Sequence, residues 1–293
     1  MLKQKDILFI LNPIAGIRQK IDIESIIKNK FQSYDGEIVL HATKERGHGI
    51  QLAKDGLRDG YKKIVAIGGD GTINEVAQGL IGSDTALGII PMGSGNGLAR
   101  HLKIPLSIAG AIDTVQGGTL QRIDTGLINK HVFLCTAGIG FEAHITHLFD
   151  AAPGRGLKTY FKIVVKEIRK YGAKSITVSG NGKVHSFSAF TMCFANAAQY
   201  GNDLFISPQS KIDDGLLDLC VLKPFGIFKY PHIIHRFVTK GIQRSSKYET
   251  MTFSDLEIFN DNDLIAHIDG DPITLKGKVN VRVVPNSLSV ITP

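Results

Sequence analysis

The chain has 293 residues, 43% of them hydrophobic, and 32 glycines, which suits a turn-rich globular protein of two domains and excludes a disordered or fibrous one. The longest apolar run near the start, ILFIL at 7–11, is far short of the ~18–20 residues of a membrane span. A net charge of +7 comes with no nucleic-acid motif, so no nucleic-acid partner is expected.

Met1-Leu2-Lys3 leads directly into ILFIL, which leaves no expected room for a secretory leader. Up to Arg122 short apolar runs alternate with helical patterns: ILFIL then IDIESIIKNKF, EIVLHAT then GIQLAKDGL, KIVAI then INEVAQGL, LGIIP then GLARHL. That alternation predicts a parallel sheet covered by helices. KIVAI lacks a period of two, as expected of a strand buried on both faces.

From Ile123 onward most segments read as strands. SITVSGNGKVHSFSAF predicts a hairpin turning at Gly180-Asn181-Gly182, and DLEIFNDNDLIAHID a second one turning through Asp261-Asn262. VNVRVV alternates cleanly before a Pro285-Asn286 turn and a last run, LSVIT. The expected fold is therefore an α/β domain with a parallel sheet and glycine-rich loops (1–122), followed by a β-rich antiparallel sandwich (123–285). The terminal run 286–293 is a candidate to return to the first domain. Cys135, Cys193 and Cys220 are odd in number and lie in apolar segments, as expected of buried free thiols in a reducing cytoplasm.

Two segments interrupt the β-rich part. Residues 154–174 carry Arg155, Lys158, Lys162, Lys166, Arg169, Lys170 and Lys174 against Glu167, and residues 229–247 carry Lys229, Arg236, Lys240, Arg244 and Lys247 with no acid. Both also hold apolar residues at helical spacing. They read either as solvated helix faces or as a surface for anionic lipid, at roughly 1 kcal/mol per basic residue near a membrane.

The chemistry sits at the strand–helix junctions. Gly68-Gly69-Asp70-Gly71-Thr72 lies between KIVAI and a helix whose Ile73, Val76, Ala77 and Leu80 share one face. Glycines admit positive φ and close backbone approach, and a helix N-terminus favours phosphate. LGIIPMGSGNGLARHL repeats the arrangement, and the first strand ends in Asn12-Pro13-Ile14-Ala15-Gly16. Loops at the carboxyl ends of neighbouring parallel strands make one crevice. Neither G-x-G-x-x-G nor G-x-x-x-x-G-K-[ST] is present. Asp70 within a phosphate cradle needs a neutralising partner, and Mg²⁺ commonly joins a carboxylate to phosphate oxygens. Phosphoryl transfer from a metal–nucleotide complex is the expected chemistry.

GGDGTINEV, the upstream NPIAG and the downstream PMGSGNGLAR together resemble the catalytic domain shared by diacylglycerol kinases, sphingosine kinases and bacterial soluble lipid kinases. The resemblance spans nearly the whole chain. It implies an ATP-dependent, Mg²⁺-dependent lipid kinase, cytoplasmic and peripherally bound to anionic membrane, with a homodimer left open. It implies ATP contacts at Asn12, Thr43, Gly68, Gly69, Asp70, Gly71, Thr72, Ile73, Asn74 and Ser94, with Glu75 and Asn96 supporting the loops. KIDDGLLDL matches a segment that holds Mg²⁺, through Asp214 and the carbonyls of Lys211 and Leu216, with Asp124 joining that network. HIDGDP resembles a D-G-E-P stretch whose acids supply the catalytic base, here Asp269, with Asp271 as the close alternative and Asp70 as the remaining candidate.

In isolation, Asp213-Asp214-Gly215 and Asp269-Gly270-Asp271-Pro272 are also ordinary turn sequences. Many diacylglycerol kinases have an acid where this chain has Gly97, and position 271 is Asp where Glu is usual. Diacylglycerol is the expected acceptor. The alternatives are a sphingoid base or ceramide, a soluble substrate as in NAD kinases, and a non-catalytic nucleotide or lipid sensor. His144/His147 and His232/His235 lack a supporting carboxylate pattern and read as packing or interface histidines rather than metal ligands.

Overall fold

The computed structural model describes residues 5–15, 22–154, 156–260 and 262–293. Gly16 of the NPIAG motif, Arg155 and Asp261 fall outside them. The chain divides into two compact units, Met1–Ile123 with Asn286–Pro293, and Asp124–Pro285.

The first unit alternates strand and helix: β1 (Lys5–Leu11), α1 (Ile23–Lys30), β2 (Glu37–Ala42), α2 (His48–Arg58), β3 (Lys63–Gly68), α3 (Asp70–Leu80), β4 (Ala86–Pro91), α4 (Gly97–His101) and α5 (Ile108–Gly117). Its strands run parallel in the order β2-β1-β3-β4. Helices cover the sheet, so β4 is buried along its whole length and β3 in all but its first residue. Burying one such Ile or Leu contributes about 1.5–3 kcal/mol. Local chemistry starts the helices. Asp22 caps α1 by accepting from the Ser25 N–H at 3.1 Å, and Ser107 caps α5 by accepting from Gly110 N–H at 3.3 Å. α2 and α3 meet at Gly79, where a Cβ would lie 2.5 Å from Ala53 Cβ and 2.9 Å from the Ile50 carbonyl oxygen.

β5 (Thr119–Ile128) carries the chain into the second unit. There follow β6 (His131–Phe133), β7 (Thr136–Gly140), α6 (Phe141–Asp150), α7 (Leu157–Glu167), β8 (Lys174–Gly180), β9 (Lys183–Ala189), β10 (Thr191–Ala195), β11 (Leu217–Leu222), α8 (Tyr230–Val238), β12 (Tyr248–Phe253), β13 (Asp255–Phe259), β14 (Leu264–Ile268), β15 (Asp271–Leu275) and β16 (Val279–Thr292). One antiparallel sheet runs β12-β11-β10-β7-β14-β15. The other runs β9-β8-β13-β16, with β5 also paired to β16 and β6 to β5. Alternation decides what each face meets. Met192 and Phe194 of β10 join Phe253, Leu256 and Val281 in one core, whereas Cys193 and Ala195 face a second core. Phe141 and Ile145 of α6 and Ile233 of α8 close that second core, with Val164 of α7 packed against it.

The 174–189 segment is the expected hairpin: Gly180 pairs with Lys183 across Asn181 (φ 51°) and Gly182 (φ 73°). The second expected hairpin does not form. β13 pairs with β8 and β16, while β14 pairs with β7 and β15, so the two consecutive strands lie in different sheets. Both segments form strands, but a short polar link between strands does not specify whether the chain turns back or crosses over. Nor does Pro285-Asn286 end a strand. β16 continues through it, with Asn286 at φ 48°, and residues 286–293 return to the first unit, where Val290 pairs in parallel with Leu87. Pro285 falls after the register with β13, which ends at Arg282, and before the pairing of Val290 with Leu87.

Candidate functional site

In the first unit the chain leaves β1 for β2 on one side and returns to β3 on the other, so β1/β3 is the point where strand order reverses. Asn12 stands at the carboxyl end of β1. Its N–H donates to the Ile67 carbonyl at 3.0 Å, and its Nδ2 donates to Thr72 Oγ1 at 3.0 Å. Thr43, just past β2, is tied back by its N–H to the Leu11 carbonyl at 2.8 Å. Asn12, Thr43 and the Gly68–Thr72 loop thus gather at one edge of the sheet.

The two glycine loops are packed into one another. Met92 N–H donates to the Gly68 carbonyl at 2.7 Å. A Cβ on Gly93 would lie 2.7 Å from Gly69 Cα and 2.9 Å from Asn96 Oδ1; one on Gly95 would lie 2.9 Å from Asp70 Oδ2. None of Gly68, Gly69, Gly93 and Gly95 has positive φ. Close backbone approach, and not left-handed geometry, is what requires glycine here. The left-handed residue is Asn96, at φ 51°. Its side chain closes the second loop, accepting from Gly93 N–H at 2.9 Å and donating to the Gly93 carbonyl at 2.8 Å.

Asp70 lies between these loops. Its Oδ2 accepts from Asn96 N–H at 2.8 Å and its Oδ1 from Gly97 N–H at 2.7 Å. A carboxylate inside a glycine-rich cradle is thus balanced by main-chain donors of the neighbouring loop, a charge-assisted arrangement. Glu75, one turn further along α3, does the same for a third loop: Gly47 N–H donates to Oε1 at 2.7 Å and Gly49 N–H to Oε2 at 3.0 Å. Ile73 and Asn74 are buried, and Asn74 Oδ1 accepts from Gln78 Nε2 at 2.6 Å. Ser94 is exposed and lines a cavity of about 260 Å³ with Met92, Asn96, Arg100 and Leu106. Arg100 was not singled out from the sequence; its Nε donates to the Gly95 carbonyl at 3.1 Å. The signal available was its place in PMGSGNGLAR, directly after the loop it braces.

In the second unit, Asp124 is fully buried. Its Oδ2 accepts from Gly215 N–H at 2.7 Å, and its own N–H donates to the Ile212 carbonyl at 2.7 Å. Asp214 Oδ1 accepts from Leu216 N–H at 3.1 Å in an Asx turn. Burial raises the pKa of the Asp218 carboxyl, with a further push from the Asp214 charge, against hydrogen bonds from Ser210 and Gln209 that lower it. Among the described residues no group of three or more His, Cys, Asp or Glu side chains converges as a metal centre. Gly215 N–H ties Asp124 to the turn that carries Asp214, and the expected ligands at Lys211, Asp214, Leu216 and Asp124 would all offer oxygen, the donor type that a hard cation takes.

The 269–271 turn separates its two acids. Asp269, at φ 46°, accepts through Oδ2 from Leu134 N–H (2.8 Å) and through Oδ1 from Cys135 N–H (2.8 Å) and Thr136 N–H (3.0 Å). Asp271 is half-buried at the start of β15.

The basic segments form helices with a distinct outer face. On α7, Lys158, Phe161, Lys162, Val165 and Lys166 are exposed, followed by Arg169; beside α8, Phe228 is 96% exposed, with Ile234 and Val238 also outside. Glu167, the acid of that stretch, has a lowered pKa, chiefly because His144 hydrogen-bonds it at 3.2 Å. No helix among the described residues is long and apolar enough to cross a membrane. All three cysteines are buried free thiols, and burial pushes Cys220 up to about 12.

Two family models match the chain: the diacylglycerol kinase catalytic domain over residues 6–128, and the YegS C-terminal NAD kinase beta sandwich-like domain over residues 135–292. A Yersinia enterocolitica protein named "Probable lipid kinase YegS-like" is 30% identical over 284 residues, covering 93% of this chain and 92% of its own. The Bacillus subtilis diacylglycerol kinase is 30% identical over 229 residues, 75% of each chain. A crystal structure of a diacylglycerol kinase from Bacillus anthracis matches with TM-score 0.74 at 19% identity, covering 100% of this chain and 98% of that one, a likeness of fold.

Proposed function

The chain belongs to the lipid kinase family of diacylglycerol kinases and YegS-like enzymes, and from that premise we propose that it transfers the γ-phosphoryl group of ATP to the hydroxyl of diacylglycerol. The observation that carries this reading is the interlocked pair of glycine loops, braced by Asp70, at the carboxyl ends of β3 and β4. Main-chain N–H groups of these loops, with Asn12, Thr43, Thr72 and Ser94, bind the nucleotide. Ile73 and Asn74 contribute through their main chain, since their side chains are buried. Asp70, Glu75 and Asn96 hold the loops in shape. Positioning and charge balance are most of the work in phosphoryl transfer.

Asp271 accepts the proton of the lipid hydroxyl. Asp269 is the less suitable base, because three main-chain donors already occupy its carboxylate. Asp214, Asp124 and the carbonyls of Lys211 and Leu216 would hold a Mg²⁺ that neutralises the acidic turn, and Mg²⁺ bound with the nucleotide would supply charge balance to the phosphates. The basic and apolar outer faces of α7 and α8 rest on anionic lipid, where the acceptor is found. A thin-layer assay with labelled ATP and diacylglycerol, monoacylglycerol, ceramide, sphingosine and phosphatidylglycerol tests the acceptor. Preferred labelling of ceramide or sphingosine would move the assignment to the sphingoid-base class.

A further inference from the structure

The hairpin that presents Asp271 is strapped to α6 at two points. His147 Nε2 lies 3.2 Å from the Ala266 carbonyl oxygen and 3.1 Å from that of Ile273. Both oxygens can only accept, so Nε2 carries the proton and donates to both. Ala266 and Ile273 are register partners on β14 and β15, so one imidazole N–H spans both strands of the hairpin. Glu142, in the first turn of α6, is the second point. One of its oxygens takes the Tyr200 hydroxyl, and the other faces Nε2 of buried His267 on β14 at 3.4 Å, close enough for an ion pair when the imidazole is protonated but with no hydrogen bond between them. His267 is paired with Pro272, the residue after Asp271. Between them the sheet is hollow: a Cβ on Gly138 would overlap Glu142 Oε1 and come 2.8 Å from His267 Nε2. The glycine admits the carboxylate.

Burying a Glu, a His and a Tyr together is costly unless their geometry is fixed, and a nonpolar helix face would cover this sheet without them. We propose that α6 is a positioning strut for the proton-accepting turn, with His147 setting the hairpin strands and the Glu142–His267 pair setting its height. This rests on Asp271 being the base. None of the three residues touches a reacting group; each acts through the hairpin.

The test is a cycle of His147→Leu, His147→Gln and Asp271→Asn, each alone, and His147→Leu combined with Asp271→Asn. Measured quantities are kcat, KM for ATP and lipid, and thermal midpoint. The Gln amide keeps an N–H donor, so His147→Gln should hold kcat within about twofold of wild type. His147→Leu should lower kcat about tenfold or more, with KM for ATP unchanged. In the Asp271→Asn background it should cost nothing further, because the strut then positions no base. Wild-type kcat in His147→Leu, or an equal loss in both backgrounds, overturns the strut. Wild-type turnover in Asp271→Asn overturns the base reading and this proposal with it. Should His147→Leu not fold, Glu142→Gln carries the same comparison, since it keeps an acceptor for Tyr200 and removes the charge facing His267.

Discussion

Replacing Asp70 by Asn separates two roles that a carboxylate in a phosphate cradle could play. As a metal ligand, Asp70 would matter only when Mg²⁺ accompanies the nucleotide. As a brace, it matters always, because its two oxygens accept the Asn96 and Gly97 amides at 2.8 and 2.7 Å. An Asn side chain keeps one acceptor, and its NH₂ faces the other main-chain N–H. Losing a hydrogen bond to a charged acceptor costs about 1.5–3 kcal/mol. If the second loop must be re-formed on binding, that is roughly a tenfold to hundredfold loss of nucleotide affinity. Calorimetric titration with ADP, in Mg²⁺ and again in EDTA, reads this directly. The expected result is the same ratio of wild-type to variant Kd in both buffers. Unchanged affinity in EDTA with a loss confined to Mg²⁺ would refute the brace and make Asp70 a metal ligand.

Gly93→Ala puts a methyl group 2.7 Å from Gly69 Cα; overpacking against backbone costs about 1–3 kcal/mol, so weaker ADP binding and a lower thermal midpoint are expected, and normal values of both would refute the loop-packing argument. Reversing charge at Lys162 and Lys166 should weaken sedimentation with phosphatidylglycerol vesicles, and wild-type binding should fade as salt rises because exposed charges are screened over about 8–10 Å near physiological ionic strength; salt-insensitive binding would return α7 to a solvated face. The lowered pKa of Glu167 means that its bond to His144 contributes stability above the unfolded carboxyl value of ~4.3 and loses it as pH falls through the lower folded value. The stability gap between wild type and His144→Ala, followed by urea titration at stepped pH, should therefore shrink below about pH 4; a gap that widens on acidification would contradict the assignment. Asp269→Asn should lower the thermal midpoint more than Asp271→Asn, since only the former loses three main-chain donors, and the reverse order would undo the division of labour between the two acids.

The nucleotide half of this protein is legible in its sequence because the constraints there are local. A strand buried on both faces must be apolar where it is buried, as KIVAI is after Lys63, and a loop whose backbone touches another backbone must be glycine, as at 69 and 93. The alternation of runs announced the parallel sheet for the same reason. What the sequence could not announce was partnership. Asp70 reads as a charge awaiting a metal until Asn96 and Gly97 are seen to meet it, and Asp269 reads as the leading base until Leu134, Cys135 and Thr136 are seen to donate to its carboxylate. β13 and β14 read as a hairpin because a short polar link joins them; the pairing of β13 with β8 and β16 and of β14 with β7 and β15 sends them to different sheets. Gly138 carried no motif at all, and His147 only its spacing from His144. Spacing along the chain fixes what a residue offers, whereas a hydrogen bond depends on which distant donor folding brings within about 3 Å, and that is decided by the tertiary structure.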